Sequence, residues 1–172
     1  DKLVDGLLER SLKPMVTLYH WELPSALADL GGWANSDISH WLADFATVLM
    51  DRIGDRVFSV APINEPWCVA WLSHFMGLQA PGLRDIRATA HSMHHVLTAH
   101  GRSVQALRAS GVPNIGAVCN VEDIYSVDQS PQAQAAADRY RGIYNEFFVG
   151  GLFKGTYPDT VLQGLEPHMP EG

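Results

Sequence analysis

The sequence predicts an α/β fold, in which buried parallel strands alternate with amphipathic helices. Short runs of β-branched and other apolar residues occur at 15–19, 57–63 and 115–119, as expected of strands that are buried on both faces. The longer segments between these runs place apolar residues three and four positions apart, which is typical of helices that pack on a sheet. Strands that alternate with helices pair in parallel through right-handed crossovers.

Capping and breaking residues set the bounds of four predicted helices, which cover about 2–12, 37–53, 85–110 and 131–149. Gly54 and Gly111 follow the second and third helices, where glycine commonly ends a helix. Ser130 precedes Pro131, an N-cap followed by proline at the first helical position. The segment between the second strand and the third helix is predicted to be a long loop, and the tail after Gly150 to be mostly loop.

Composition excludes several classes of protein. With 47% hydrophobic and 18% charged residues, the 172-residue chain is predicted to form one soluble globular domain. A net charge of −7 without any lysine- or arginine-rich run argues against a nucleic-acid partner. No apolar run approaches the roughly 20 residues of a membrane helix. Cys68 and Cys119 lie far apart in the sequence and are interpreted as free thiols. The sequence also starts without a recognisable signal peptide. Together these two observations predict a cytoplasmic protein.

Polar side chains follow each of the three predicted strands. Asn64 and Glu65 come directly after the second strand, which proline then ends, and His20 and Asn120 follow the first and third strands. The carboxyl ends of parallel strands are where α/β folds place binding and catalytic groups. Each residue also has a structural interpretation, because such asparagines serve in turns and a lone histidine is commonly a satisfied structural residue. Asn120 is equally consistent with reaching a pocket and with fixing a loop.

Several motifs together resemble glycoside hydrolase family 1, the β-glucosidase family. Asn64-Glu65-Pro66 is similar to the acid/base motif of that family, and the segment 19–24, Tyr-His-Trp-Glu-Leu-Pro, resembles its YHWDLP motif. Asn145-Glu146-Phe147-Phe148 and 152–158 resemble a later N-x-W-F…LF-x-G-x-YP segment. The motifs occur in the family's order over nearly the whole chain. Glu22 replaces the usual aspartate, and Pro62 replaces a usual threonine.

The resemblance implies that the chain forms part of a (β/α)8 TIM barrel, roughly strands three to five with their helices. A complete barrel needs about 250 residues, so residues 1–172 are interpreted as a single partial barrel domain, an interior fragment of a larger catalytic domain. Such a fragment is expected to expose apolar edges that other strands would cover.

The resemblance also implies a retaining β-glucosidase that hydrolyses terminal β-D-glucosyl residues. Glu65 would be the general acid/base, and Asn64 would bond the sugar's 2-hydroxyl. By the same resemblance, His20 would bind hydroxyl groups of the sugar. Trp21 is predicted to stack on the C–H face of the sugar, because indoles commonly do so, and Asn120 is predicted to contribute to substrate binding from its position at a strand end. The family's nucleophile lies in a Thr-Glu-Asn-Gly-like motif, which this sequence lacks. The partner is therefore predicted to be a small β-glycoside or oligosaccharide, no cofactor is expected, and the fragment alone is predicted to be inactive.

Two other interpretations remain open. One is a catalytically inactive, sugar-binding α/β module. The other is a doubly wound module, which would carry a glycine-rich phosphate loop after a strand, and no strand end here has one. Four histidines at 91, 94, 95 and 100 invite a metal site, but no His-Glu-x-x-His or helical carboxylate accompanies them, so no metal is predicted. The sequence predicts neither the oligomeric state nor which sugar is bound.

Overall fold

The structure is a computed structural model that describes residues 1–171. In chain order its helices and strands are α1 (Lys2–Leu8), β1 (Met15–Tyr19), α2 (Ser25–Asp29), α3 (Ile38–Ile53), β2 (Ser59–Ile63), α4 (Ile86–Ala109), α5 (Pro131–Arg141), α6 (Phe147–Lys154) and α7 (Asp159–Leu165). The chain divides into two compact units: unit 1 comprises 1–64 and 98–118, and unit 2 comprises 65–97 and 119–172. Whether the chain acts as a single domain stays a prediction.

Unit 1 contains the parallel strand pair. β1 and β2 pair from Met15 opposite Ser59 to Tyr19 opposite Ile63, so both strands end at the same edge. Apolar side chains from the strands, α1, α3 and the end of α4 form one core, whose buried members are Val4, Ala46, Met50, Ile53, Val57, Val60, Leu107 and Val112. Arg56 also binds the carboxylates of Asp1 and Asp5, which ties α1 to this unit.

The third predicted strand is present only as isolated bridges. Val60 pairs with Ile115, and Asn64 pairs with Val118, both in parallel. The two bridges are four residues apart along β2 but only three residues apart along the neighbouring segment. The register between the two segments is therefore irregular. Pro62 lies between the two bridges and has no N–H to donate to a ladder. The prediction of a regular strand over 115–119 is wrong for this reason.

Unit 2 is built mainly from helices and also contains two π-helical segments. Cys68–Phe75 forms a π-helical segment inside the stretch that was predicted to be a loop, and that prediction is wrong. A second segment, Gly142–Glu146, joins α5 to α6. The predicted N-cap of α5 is confirmed, because the Ser130 side chain accepts a bond from the Ala133 N–H at 3.3 Å.

The last long helix continues past its predicted end. α6 runs through Gly150 and Gly151 to Lys154 and ends at Gly155, which has φ +67°. A Cβ on Gly151 would lie 2.5 Å from Leu97 Cδ1, so the glycine allows a close approach inside the helix and does not end it. By contrast, Gly111 ends α4 with φ +76° as predicted, because glycine reaches the left-handed region without a steric penalty. No helix within residues 1–171 is long and apolar enough to cross a membrane.

Unit 1 is expected to lose stability as the pH falls below about 7. Burial lowers the pKa of His100, on α4, from 6.5 to about 4. The folded state keeps this imidazole neutral while the unfolded chain binds a proton, so its contribution is fully present above the unfolded pKa and declines as the pH falls towards 4. Between about pH 7.5 and pH 5, His100 should by itself lower the free energy of unfolding by about 2 kcal/mol.

Urea unfolding at the two pH values, followed by hydrogen exchange of unit 1 amides, measures this drop. His100→Asn should reduce the difference by about 2 kcal/mol. His40→Asn, a change at an exposed histidine of the same unit, should leave the difference unchanged. Equal pH dependence in all three proteins would contradict the assignment to His100.

Candidate active site

The strand ends of unit 1 bring three of the predicted binding residues to one edge. His20 and Trp21 follow β1 directly, and Asn64 follows β2 directly. The Asn64 N–H donates to the Tyr19 carbonyl at 2.9 Å, which extends the strand pairing by one residue. Asn64 is only 8% exposed, whereas Trp21 and His20 are exposed to solvent. The edge therefore presents an imidazole and an indole beside a buried amide.

The indole of Trp21 is held in place by its own strand neighbour. Its N–H donates to the carbonyl oxygen of Asn64 at 3.1 Å, and its ring meets that of His20 edge-on, with centroids 5.3 Å apart. Trp21 has φ +81°, a left-handed conformation that costs a bulky residue free energy and that clusters at functional sites. Because the indole N–H is already donated to Asn64, the ring face is the part of Trp21 that stays open to solvent.

Glu65 opens unit 2 and also has left-handed backbone geometry, with φ +49°. Pro66 follows it and is buried, and the indoles of Trp67 and Trp71 are each only 9% exposed. Non-glycine residues in this region are uncommon, and among residues 1–171 only Ser11 shares it with Trp21 and Glu65. Two of the five predicted site residues thus occupy a backbone conformation that is uncommon for residues other than glycine.

The carboxylate of Glu65 lies in a hydrogen-bonded group of polar side chains in unit 2. The Cys68 thiol donates to Glu65 Oε2 at 3.4 Å. The amide of Asn120 donates to the Cys68 sulfur at 3.6 Å and to the hydroxyl of Tyr144 at 2.9 Å. The Tyr144 ring packs on Trp67 with centroids 4.2 Å apart. Asn120 is therefore fixed by two bonds and, within unit 2, belongs to the surroundings of Glu65.

The sequence interpretation missed Cys68 and Tyr144. Cys68 was interpreted only as a free thiol, and Tyr144 only as an apolar position of a helix. A signal for Cys68 existed, because residues three positions apart meet on one helical face and Trp67 and Trp71 have helical spacing. Assigning this stretch to a loop hid that signal.

Two other sequence predictions concern residues outside this group. Trp33, interpreted as loop packing, is 4% exposed and meets Tyr19 edge-on at 4.9 Å. His94 shares a hydrogen bond of 2.8 Å with the Tyr157 hydroxyl. In the described part of the chain, no group of three or more His, Cys, Asp or Glu side chains is placed to hold a metal ion.

Polar and aromatic side chains directly after the last residues of parallel strands are typical of enzymes with a (β/α)8 barrel. The chain belongs to glycosyl hydrolase family 1, whose family model matches residues 1–171.

Known members of the family match almost the entire chain. The β-glucosidase of Agrobacterium sp. is 41% identical over 172 residues, which cover 99% of this chain and 37% of that enzyme. Virulence factor SghA from Agrobacterium tumefaciens, also solved with its substrate analog salicin, superposes with a TM-score of 0.96 at 40% identity. The match covers 99% of this chain and 38% of SghA. The β-glucosidase of Thermotoga maritima in complex with glucoimidazole gives 0.94 at 36% identity, covering 98% and 39%.

These comparisons confirm the predicted family and the predicted partial (β/α)8 barrel. The chain spans about two fifths of the length of the relatives it matches. The roles assigned to Glu65, Asn64, His20, Trp21 and Asn120 stay predictions.

Proposed function

We propose that this chain carries the acid/base half of the active site of a retaining β-glucosidase, with Glu65 as the general acid/base. The observation that carries the proposal is the position of Glu65, directly after a parallel strand in a left-handed conformation that aims one carboxylate at a fixed hydrogen-bond donor. The β-glucosidase names of the relatives support the choice of substrate.

The residues around Glu65 suit the two steps of retaining hydrolysis. In the first step, the carboxylic acid gives its proton to the departing glycosidic oxygen while a second carboxylate attacks the anomeric carbon. In the second step, the Glu65 carboxylate removes a proton from water, which attacks the glycosyl-enzyme and releases the sugar. The second carboxylate must lie about 5–5.5 Å from the first, and residues beyond those of this chain would provide it.

The strand ends of unit 1 are proposed to hold the sugar. Asn64, buried beside the strand pair, would bond the 2-hydroxyl, a contact that strengthens as the anomeric centre becomes oxocarbenium-like. His20 would bond further hydroxyls, and the face of Trp21 would stack on the C–H face of the ring. Neighbouring structures were solved with salicin and with glucoimidazole, which supports a small glycoside as the ligand.

The stereochemistry of hydrolysis tests the function directly. The protein is expressed at full length from its own gene and mixed with an aryl β-glucoside, and proton NMR follows the anomeric signals. β-Glucose should appear first and mutarotate later, and residues 1–172 expressed alone should show no turnover. α-Glucose as the first product would exclude a retaining mechanism, and binding without turnover would favour the inactive sugar-binding module.

A further inference from the structure

Cys68 is a polar group that the proposed mechanism does not use, although it contacts the candidate acid/base directly. The thiol is 7% exposed, and its sulfur lies 3.4 Å from Glu65 Oε2. We propose that Cys68 is a positioning residue, which fixes the Glu65 carboxyl through the thiol hydrogen bond so that its proton transfer is aimed at the glycosidic oxygen. This inference rests on the proposed acid/base role of Glu65.

The direction of each hydrogen bond supports the proposal. Burial and the neighbouring Glu65 carboxylate raise the pKa of the Cys68 thiol to about 12, so the sulfur keeps its proton at neutral pH and donates it to the carboxylate oxygen. Asn120 in turn donates an amide N–H to the sulfur, which leaves the S–H free to face Glu65. A hydrogen bond to a charged acceptor is stronger than a neutral one.

The far end of the group is Tyr144, whose pKa is influenced by a second carboxylate, that of Glu122. Burial raises the pKa of the Tyr144 phenol to about 12, and the negative charge of Glu122 contributes to the shift, so the phenol keeps its proton at neutral pH. The Tyr144 hydroxyl accepts a hydrogen bond from the Asn120 amide at 2.9 Å, so Asn120 is held between Tyr144 and the Cys68 sulfur. The side chain of Asn145 holds the backbone of Glu122 through bonds of 3.0 and 2.7 Å.

The backbone at both ends of this series departs from the ordinary α-helix. Cys68 begins one π-helical segment, and Tyr144 and Asn145 lie in the other. π-Helical geometry is rare and is frequently found at functional sites, and here one segment has eight residues and the other five. Both π-helical segments of unit 2 therefore carry residues of the same hydrogen-bonded group. If Cys68 only filled space in the core, the two segments would not need to meet in this way.

The test compares substrates that differ only in their leaving group, using the protein expressed at full length from its own gene. Poor leaving groups such as alkyl alcohols need the proton from Glu65, whereas 2,4-dinitrophenolate departs without it. Cys68→Ala should lower kcat/KM for an alkyl β-glucoside by about 10-fold and leave the value for the dinitrophenyl β-glucoside within about 2-fold. Cys68→Ser, which restores a donor, should recover most of the loss.

Cys119→Ala is the matched control, because Cys119 is a half-buried free thiol with no hydrogen bond to Glu65 among the described contacts, and both substrates should be unaffected. Equal losses on both substrates in Cys68→Ala, or no loss on either, would overturn the positioning role. Glu65→Gln is measured in parallel. If it lacks the leaving-group dependence, the proposed function itself fails, whereas dependence in Glu65→Gln without dependence in Cys68→Ala refutes only the inference.

Discussion

Glu65→Gln should lower kcat/KM for an alkyl β-glucoside by about 10³-fold, because glutamine can neither give a proton to the leaving oxygen nor take one from water. Hydrolysis of 2,4-dinitrophenyl β-glucoside should begin with a burst, since formation of the glycosyl-enzyme needs no proton. Later turnover should be slow, because no base activates the attacking water. Stopped-flow absorbance of dinitrophenolate measures both phases.

Sodium azide separates loss of the acid/base from a general loss of fold. Azide needs no deprotonation, so it should attack the glycosyl-enzyme of Glu65→Gln, restore fast turnover and yield the β-glucosyl azide. Glu22→Gln is the control, because Glu22 is an exposed carboxylate in the neighbouring motif, and its rate should match the unmodified protein with and without azide. An α-azide product, or no rescue at all, would contradict the assigned role.

Phe147→Ala should reduce the free energy of unfolding of unit 2 by about 4 kcal/mol. Its side chain is 0% exposed, stacks on Tyr157 with ring centroids 4.2 Å apart and planes 9° from parallel, and meets Phe148 edge-on at 5.3 Å. Removing the ring leaves a cavity and breaks both aromatic contacts. Hydrogen exchange of amides in α5 to α7 measures the loss where it occurs.

Phe153→Ala provides the control for this change. Phe153 lies on the same helix, α6, but is 77% exposed, so its removal should change the free energy of unfolding by less than about 0.5 kcal/mol. Both substitutions remove the same atoms and alter helix propensity equally. Similar losses in the two variants would show that α6 is stabilised by its own propensity and not by burial of Phe147.

The sequence could predict features that depend on neighbours along the chain. Alternation of apolar runs and amphipathic segments determined the α/β class, and β1 was predicted with its exact bounds because Pro14 and the polar residues after Tyr19 delimit it. The Ser130-Pro131 start and the Gly111 end also follow from local chemistry, since a cap acts within one helical turn. The position of Glu65 at the end of a strand could also be predicted from local sequence, because the proline that follows it ends the strand.

Only the tertiary structure decided how those local elements adjust to each other. The segment 115–119 pairs irregularly with β2 because Pro62 has no N–H to donate. This missing donor has an effect only when a third segment lies beside β2. The π-helical turns at Cys68 and Tyr144 have no signal in apolar periodicity, because a one-residue change in hydrogen-bond partner is set by packing and not by propensity. The group that joins Glu65 to Cys68, Asn120 and Tyr144 spans about 80 residues of sequence, so only folding could bring its members together.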